Sequence, residues 1–570
     1  MKKNLNLPKK KTGRLRNLFL TVCRLASVAA SAQEKTVTGT VTDALGDPLI
    51  GATVLVQGTS NGVITDIDGR YSIQATPENT LDFSYVGMVK QAVKVGSQSV
   101  INVQMKDDSQ MLAETVVIGY GSAKKRDLTG SITNIKGDEI ANKPVVNPVS
   151  ALQGKIAGVQ VINSGKAGSD PEIRVRGTNS INGYKPLYVV DGLFNDNINF
   201  LNPQDIESME ILKDPSSLAI FGVRGANGVI IITTKKAKEG QTRVNINGSF
   251  GFKSITDKIA LTDAEGFKLL YNEQLRNEGN PEYNFSDWTG NTNWQDEIFR
   301  SAWMQSHNVS LTGGSEGVRY NASLSYYDQD GILLESNYKR VQGRMGTTIQ
   351  KKKLKIYLTT NYSSTTTTGG SPSQNSYSGM NNLFYSVWGY RPVTEPDRPL
   401  NSLMDNIMDD AINNTNDYRF NPIMSLKNEY RKTYANYIQF NGFAEYEFIK
   451  GLKLKVSGGY TFDTRKGETF NNSKTRYGNP KSSDKVNAEI YHSQRATWLN
   501  ENILTYQTNI KRKHFFNSMV GVTLQNSDYE YYSYKTVQIP NEALGMAGMS
   551  EGTPSTTKSL KSSWSMLSFL

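Results

Sequence analysis

The sequence predicts a mostly β protein. A small N-terminal β-sandwich is followed by an α+β region and then by an incomplete antiparallel transmembrane β-barrel. Three observations carry this. Residues 36–106 break into short alternating segments with turn signals about every 8–12 residues. Residues 107–240 mix helical and strand-like stretches between tight glycine turns. From residue 242 onward, segments of about ten residues alternate apolar and polar side chains, the pattern of a tilted membrane strand.

Composition sets the frame. The chain has 570 residues, 37% of them hydrophobic, and the mean hydropathy is −0.48. No run approaches the ~20 uninterrupted apolar residues of a spanning helix, so a membrane-crossing form must be a closed barrel that satisfies its own backbone. The net charge of +11 is concentrated at the start. Residues 1–33 carry Lys2, Lys3, Lys9, Lys10, Lys11, Arg14, Arg16 and Arg24 with no acidic residue, which leaves +3 for everything after them. The basic balance therefore belongs to the leader, and no nucleic acid partner is expected.

Residues 1–33 read as an atypical secretory signal: a basic start, an apolar stretch over 18–30 interrupted by Arg24, and Ala30-Ser31-Ala32 before Gln33. The single cysteine, Cys23, lies inside this leader, preceded by Val22 rather than the small residue a lipid anchor needs. The rest of the chain has no thiol for a disulfide, a cysteine metal site or a nucleophile.

In residues 36–106 the segments 36–42, 52–57, 62–66, 71–73, 81–85, 91–95 and 99–104 are expected as strands. Asp66 and Asp68 stand in an Asp-x-Asp-Gly run without the later acidic ligand of a calcium loop, and are read as a turn that needs Asp-Gly geometry. In residues 107–240, residues 147–156 are expected as a short helix, and 173–177, 187–192 and 229–234 as buried strands. Residues 202–213 suggest a helix start beside an edge strand. Ser164-Gly165-Lys166 lacks the first glycine and following hydroxyl of a phosphate loop and is read as a plain loop.

The region 242–570 decides the class. In 452–463, Leu452, Leu454, Val456, Gly458, Tyr460 and Phe462 share one face, and Lys453, Lys455, Ser457, Gly459, Thr461 and Asp463 the other. Residues 318–327 behave likewise, with Val318, Tyr320, Ala322, Leu324 and Tyr326 opposite Arg319, Asn321, Ser323, Ser325 and Tyr327. A soluble sheet would alternate in the same way, so the linkers discriminate. Short turns near 314–317, 351–353, 449–451 and 511–513 fall on one end, and longer connections on the other, as in membrane barrels.

Residues of the first two regions carry a resemblance. Gly39-Thr-Val-Thr-Asp43, Pro48-Leu-Ile-Gly-Ala52 and the run 65–73 resemble the carboxypeptidase-regulatory-like domain, an accessory module without peptidase activity. Residues 112–121 and 128–132, Ala151-Leu-Gln-Gly-Lys-Ile-Ala-Gly-Val159, Ile173-Arg-Val-Arg-Gly177, Pro186-Leu-Tyr-Val-Val-Asp-Gly192 and the run 214–235 resemble the plug of SusC/RagA-type TonB-linked outer-membrane proteins. Phe221-Gly222 stands where members commonly have Tyr-Gly.

The resemblance implies import of large oligosaccharides or peptides across the bacterial outer membrane, the strands facing lipid and the N-terminal domain and plug facing the periplasm. It implies TonB with its ExbB/ExbD energising complex, and a SusD-like surface lipoprotein, as partners. No cofactor, metal or catalytic residue is expected. His307, His492 and His514 form no metal or triad motif. An outer-membrane receptor or adhesin that binds without transport is the alternative.

Several residues are singled out. Glu114, Thr115, Val116, Val117 and Ile118 form the expected TonB box, an extended β-branched segment suited to pair with a partner's sheet edge. Arg174 and Arg176 bracket Val175 and are expected on one strand face, latching the plug to carboxylates of the barrel lumen. Phe384, Tyr385, Trp388, Tyr390 and Trp294, in aromatic-rich outer loops, are expected either to contact ligand or to hold the loops together. About nine strands, and the start of a tenth, are expected against the ~22 of a plugged transport barrel. The chain by itself is then expected neither to close nor to transport, since an open edge in lipid leaves backbone groups unpaired.

Overall fold

The computed structural model describes residues 34–569 except 44–45, 86–87, 107–114, 119–120, 125–131, 144, 164, 178–182, 238, 370–382, 395–420, 481 and 511–513. The expected leader, and Cys23 with it, lies outside the described residues. The chain divides into two compact units: Met1–Val116 with Ala123–Asp127, and Val117–Ser122 with Leu128–Leu570.

The first unit is a two-sheet sandwich. Its strands are β1 (Lys35–Thr42), β2 (Thr53–Val56), β3 (Gly62–Ile64), β4 (Arg70–Ala75), β5 (Thr80–Ser84), β6 (Gln91–Lys94) and β7 (Val103–Gln104). One sheet runs β4-β1-β7 and the other β3-β2-β5-β6. Alternate residues of β1, β2 and β4 turn inward, so Val37, Val41, Val54, Tyr71 and Ile73 meet Leu81 and Phe83 in one apolar core. Asp66 is a turn residue: its Oδ1 accepts the backbone N–H of Asp68 and of Arg70, at 3.0 and 2.8 Å, and Gly69 takes the left-handed conformation that the turn requires. The Tyr71 hydroxyl donates to the Ile101 carbonyl at 2.9 Å, and burial pushes its pKa up to about 12.

After the sandwich, β8 (Thr115–Ile118) and β9 (Gly121–Lys124) form a two-stranded ribbon. The α+β region contributes β10 (Ile132–Lys136), β11 (Val159–Ile162), β12 (Glu172–Val175), β13 (Leu187–Val190), β14 (Leu193–Asn195), β15 (Ile206–Leu212) and β16 (Val229–Thr234). Five of these make a mixed sheet in the order β10-β15-β16-β13-β14, with β13 and β16 parallel; β11 and β12 make a separate hairpin. Val229–Thr234 is Val-Ile-Ile-Ile-Thr-Thr, apolar on both faces, because β16 lies inside the sheet and is covered on both sides.

Two local expectations are corrected here. The expected helix at 147–156 is a short 3-10 turn, Pro148–Leu152, capped by the Asn147 side chain accepting from Val149 N. The strand expected at an edge near 206–212 is β15, which pairs on both sides, with β10 and β16.

The wall follows: β17 (Gly240–Lys253), β18 (Gly290–Asn291), β19 (Ala302–Gly314), β20 (Val318–Asp330), β21 (Asn337–Lys351), β22 (Leu354–Thr368), β23 (Val393–Thr394), β24 (Glu429–Ile449), β25 (Leu452–Asn471), β26 (Asn487–Ile510), β27 (His514–Val537) and β28 (Thr553–Phe569). Ten of them form one antiparallel meander, β17-β19-β20-β21-β22-β24-β25-β26-β27-β28. Among the described residues β17 and β28 each pair on one side only, so the sheet is not closed. The small strands β18 and β23 pair with each other in the loops.

The outer face of the wall carries the apolar band. Val318, Leu324, Val341, Leu358, Phe440, Val456, Trp498 and Val520 are exposed large apolar side chains at alternate positions. In a soluble protein such a continuous surface would aggregate; in lipid it is the required face. From Ile438 to Phe448 the band of β24 spans roughly 25 Å at ~3.3 Å per residue and ~40° tilt, the height of a membrane barrel's apolar girdle. Strands β24 to β27 run 20–24 residues, well beyond that band. Their far halves were expected as loops because both faces there are polar and the alternation fades.

Candidate functional site

The α+β region sits against the inner face of the wall, and the two are joined by polar contacts from inward positions of alternate strands. Arg340 and Arg344 on β21 are both buried. Arg340 Nη1 donates to the carbonyls of Asn199, at 2.7 Å, and Val146, at 3.2 Å. Arg344 pairs with Asp191 at 3.5 Å, and its Nη2 donates to the hydroxyls of Thr234 and of Tyr357, the latter at 3.2 Å. Asp191 is held in a left-handed conformation (φ 49°) at the end of β13, and it accepts from Thr234 N at 3.0 Å and Thr234 Oγ1 at 2.5 Å. Strained backbone of this kind persists where the surroundings over-determine it.

Further contacts spread along the wall. Ser323 Oγ donates to Asp205 Oδ2 at 3.0 Å. Burial pushes the Asp205 carboxyl up, against the pull of Arg344, Ser323, Lys235 and Arg340. The Tyr437 hydroxyl donates to Asn195 Oδ1 at 2.8 Å while its ring stacks on Phe200, centroids 4.1 Å apart. Asn441 Nδ2 donates to the Asp191 carbonyl at 3.0 Å, Arg224 Nη1 to Gln525 Oε1 at 3.1 Å, and Arg495 to the Asp196 carboxylate. Between the two layers a polar cavity of about 410 Å³ is lined by Asn202, Gln204, Asn308, Ser325, Tyr327 and Arg340 among others. The α+β region is thus seated on the wall by buried hydrogen bonds and ion pairs together with apolar contacts such as Ala167 against Met304, Tyr327 and Tyr338. Nothing in it resembles a catalytic constellation among the described residues.

Comparison with known proteins now bears on this geometry. Residues 124–229 match the TonB-dependent receptor plug domain and residues 37–117 the carboxypeptidase-regulatory-like domain. The TonB-dependent receptor SusC of Bacteroides thetaiotaomicron is 43% identical over 336 residues, 57% of this chain and 33% of its own length. TonB-dependent receptor P3 of Formosa agariphila is 32% identical over 541 residues, 93% of this chain and 50% of its own. Among solved structures, the RagAB peptide importer in its open-open state superposes with a TM-score of 0.66 at 23% identity, over 80% of this chain and 54% of that one.

The chain resembles the SusC/RagA-type TonB-linked family and carries a TonB-dependent receptor plug domain.

It spans about half the length of the Formosa relative and a third of SusC. In SusC/RagA terms, the seated body is the plug and the meander is the barrel wall.

The residues singled out from sequence are distributed unevenly over this SusC/RagA-type frame. Thr115, Val116, Val117 and Ile118 form strand β8, whereas Glu114 lies outside the described residues. Arg174 and Arg176 are corrected. Strand β12 ends at Val175, and Arg176 turns left-handed (φ 56°), so the two do not share a strand face. Arg174 pairs with Glu172 at 3.2 Å and lies over the Tyr184 ring; Arg176 pairs with Asp214 at 2.7 Å. All these partners belong to the plug. The hold on the wall runs the other way, chiefly from wall arginines into plug carboxylates and carbonyls.

In the loops, Trp294 and Tyr390 are buried edge to face at 4.9 Å, and Trp294 Nε1 donates to the Arg391 carbonyl at 2.9 Å. They share a core with Ile298, Leu333, Val387 and Leu426. Phe384 stacks on Trp388 at 5.2 Å, and Trp388 is exposed. The side chain of Tyr385 lies outside the described residues. Sequence reasoning missed Arg340, Arg344 and Asp191. The signal for the two arginines was a pair of charges four residues apart on one face of β21.

Proposed function

We propose that this chain supplies the plug and part of the wall of a barrel that serves TonB-dependent import of large nutrients, oligosaccharides or peptides, across the bacterial outer membrane. The carrying observation is the plug seated inside a membrane-type strand wall by buried polar contacts centred on Arg344 and Asp191. A plug blocks the pore at rest, and an import device needs a way to displace it. Thr115–Ile118, an extended segment between sandwich and plug, suits strand addition to TonB, energised through ExbB/ExbD. In this reading the sandwich and plug face the periplasm and the long loops face outside.

A SusD-like surface lipoprotein is the proposed outer partner. Similarity to the TonB-dependent receptor SusC and to the RagAB peptide importer supports TonB-dependent import as a class and leaves glycan and peptide both open. The test is uptake of a labelled nutrient by cells expressing the closed-barrel protein that contains this chain, with and without TonB. Uptake that persists without TonB would sink this reading, and surface binding with no uptake would favour a receptor or adhesin.

A further inference from the structure

We infer that Tyr491 and Tyr531, stacked on the inner face of the wall beyond the plug, form a platform for the apolar face of a sugar ring and select glycan over peptide. This rests on the import reading above.

The placement follows from strand parity. Arg495 reaches the plug at Asp196, and Gln525 accepts from Arg224 of the plug, so these positions of β26 and β27 face inward. Tyr491 is separated from Arg495, and Tyr531 from Gln525, by an even number of residues, which puts both tyrosines on the same face. Both lie further toward the long-loop end than the plug contacts. Incoming ligand would meet them before it met the plug.

The local geometry brings the two rings together on the inner face. The two rings are nearly parallel, at 24°, with centroids 6.0 Å apart. Tyr491 is paired across the ladder with Gly467, and a Cβ at Gly467 would run into the Tyr491 ring. The ring therefore lies down over bare backbone. Two residues closer to the plug, Tyr529 stacks on the Arg495 guanidinium at 5.1 Å. Ser493 and Thr469 share the inward face and add hydroxyls beside the rings.

This surface suits a sugar better than a peptide. An aromatic face covers the C–H side of a sugar ring while hydroxyls around it meet the ring's polar rim.

The test is binding by the closed-barrel protein that contains this chain, purified from outer membranes in detergent. It is titrated with maltoheptaose, a levan oligosaccharide and a xylo-oligosaccharide, and with a set of neutral oligopeptides. At least one glycan should bind, and Tyr491→Ala with Tyr531→Ala should weaken it about tenfold or more. Tyr491→Phe with Tyr531→Phe should keep the affinity, because stacking uses the ring and not the hydroxyl. Tyr532→Ala, on the opposite face of the same strand, should leave it unchanged and controls for folding. The inference is overturned if the unsubstituted protein binds none of the glycans, if the double alanine variant binds glycan as before, or if it loses oligopeptide binding equally. Binding needs no energy source, so a glycan that binds but is never imported counts against the import reading and leaves the platform standing.

Discussion

Arg344 on the wall and Asp191 on the plug form an ion pair in which the arginine side chain is fully buried and the carboxylate nearly so. Thr234 joins both, accepting from Arg344 and donating to Asp191. Arg344 Nε and Nη1 have no protein partner among the described residues, so the pair is not saturated. A buried pair of this kind adds little net stability over an apolar isostere, but removal of one member leaves an uncompensated charge. Its value here is register: it fixes the end of β13 and the end of β16 to one point on β21.

Arg344→Met should therefore loosen the plug, by about 3–5 kcal/mol. The readout is protease cleavage within residues 132–234 in outer-membrane vesicles, faster in the variant than in the parent. Adding Asp191→Leu should recover part of the loss. A double variant cleaved faster than Arg344→Met alone would show that the two residues are not coupled.

Tyr71 gives a pH dependence to the sandwich. Its pKa is raised by burial to about 12, above the ~10 of an exposed tyrosine. Stability is then fully present below pH ~10, where both folded and unfolded forms are protonated, and is lost as pH rises toward 12 because only the unfolded form ionises. Thermal unfolding of the sandwich should fall steeply over that window in the parent. Tyr71→Phe should flatten the fall, while losing about 1 kcal/mol at neutral pH with the bond to Ile101.

The loop aromatics should separate into two kinds. Trp294→Ala removes a buried side chain with a buried hydrogen bond and should cost about 3–5 kcal/mol in the loop core, seen as rapid proteolysis within 254–301. Trp388→Ala, at an exposed position, should change that rate little. Equal effects would remove the distinction between loop packing and a free aromatic surface.

For β8, Val117→Pro removes a backbone donor that strand addition would use. Expected is loss of TonB-dependent uptake with ligand binding at the cell surface intact. Uptake at the parent's rate would move the coupling segment elsewhere in the chain.

Much of this protein was legible in one dimension. Alternation at period two assigned Leu452, Leu454 and Val456 to the outer face and Lys453 and Lys455 to the inner one, and the wall is built that way. The alternation of short and long connections marked the two ends of the meander. The runs 151–159, 173–177 and 214–235 carried the family resemblance before any coordinates.

What periodicity could not supply is partnership. Arg174 and Arg176 looked like a latch because they sit two apart in an apolar strand; one turns left-handed and both pair within the plug. Arg344 looked like one more inward polar residue of β21, yet it meets Thr234, 110 residues earlier. Trp294 and Tyr390 fitted ligand contact and loop packing equally in sequence, and are the centre of a loop core. By itself, the sequence determined where the apolar-band halves of the wall strands lie, which face their side chains take and in which order sandwich, plug and wall follow, because those depend on neighbours a few residues away. Tertiary structure alone decided which charges meet, which aromatics are covered and what holds the plug, because those depend on groups brought together from distant parts of the chain and on the desolvation each then undergoes.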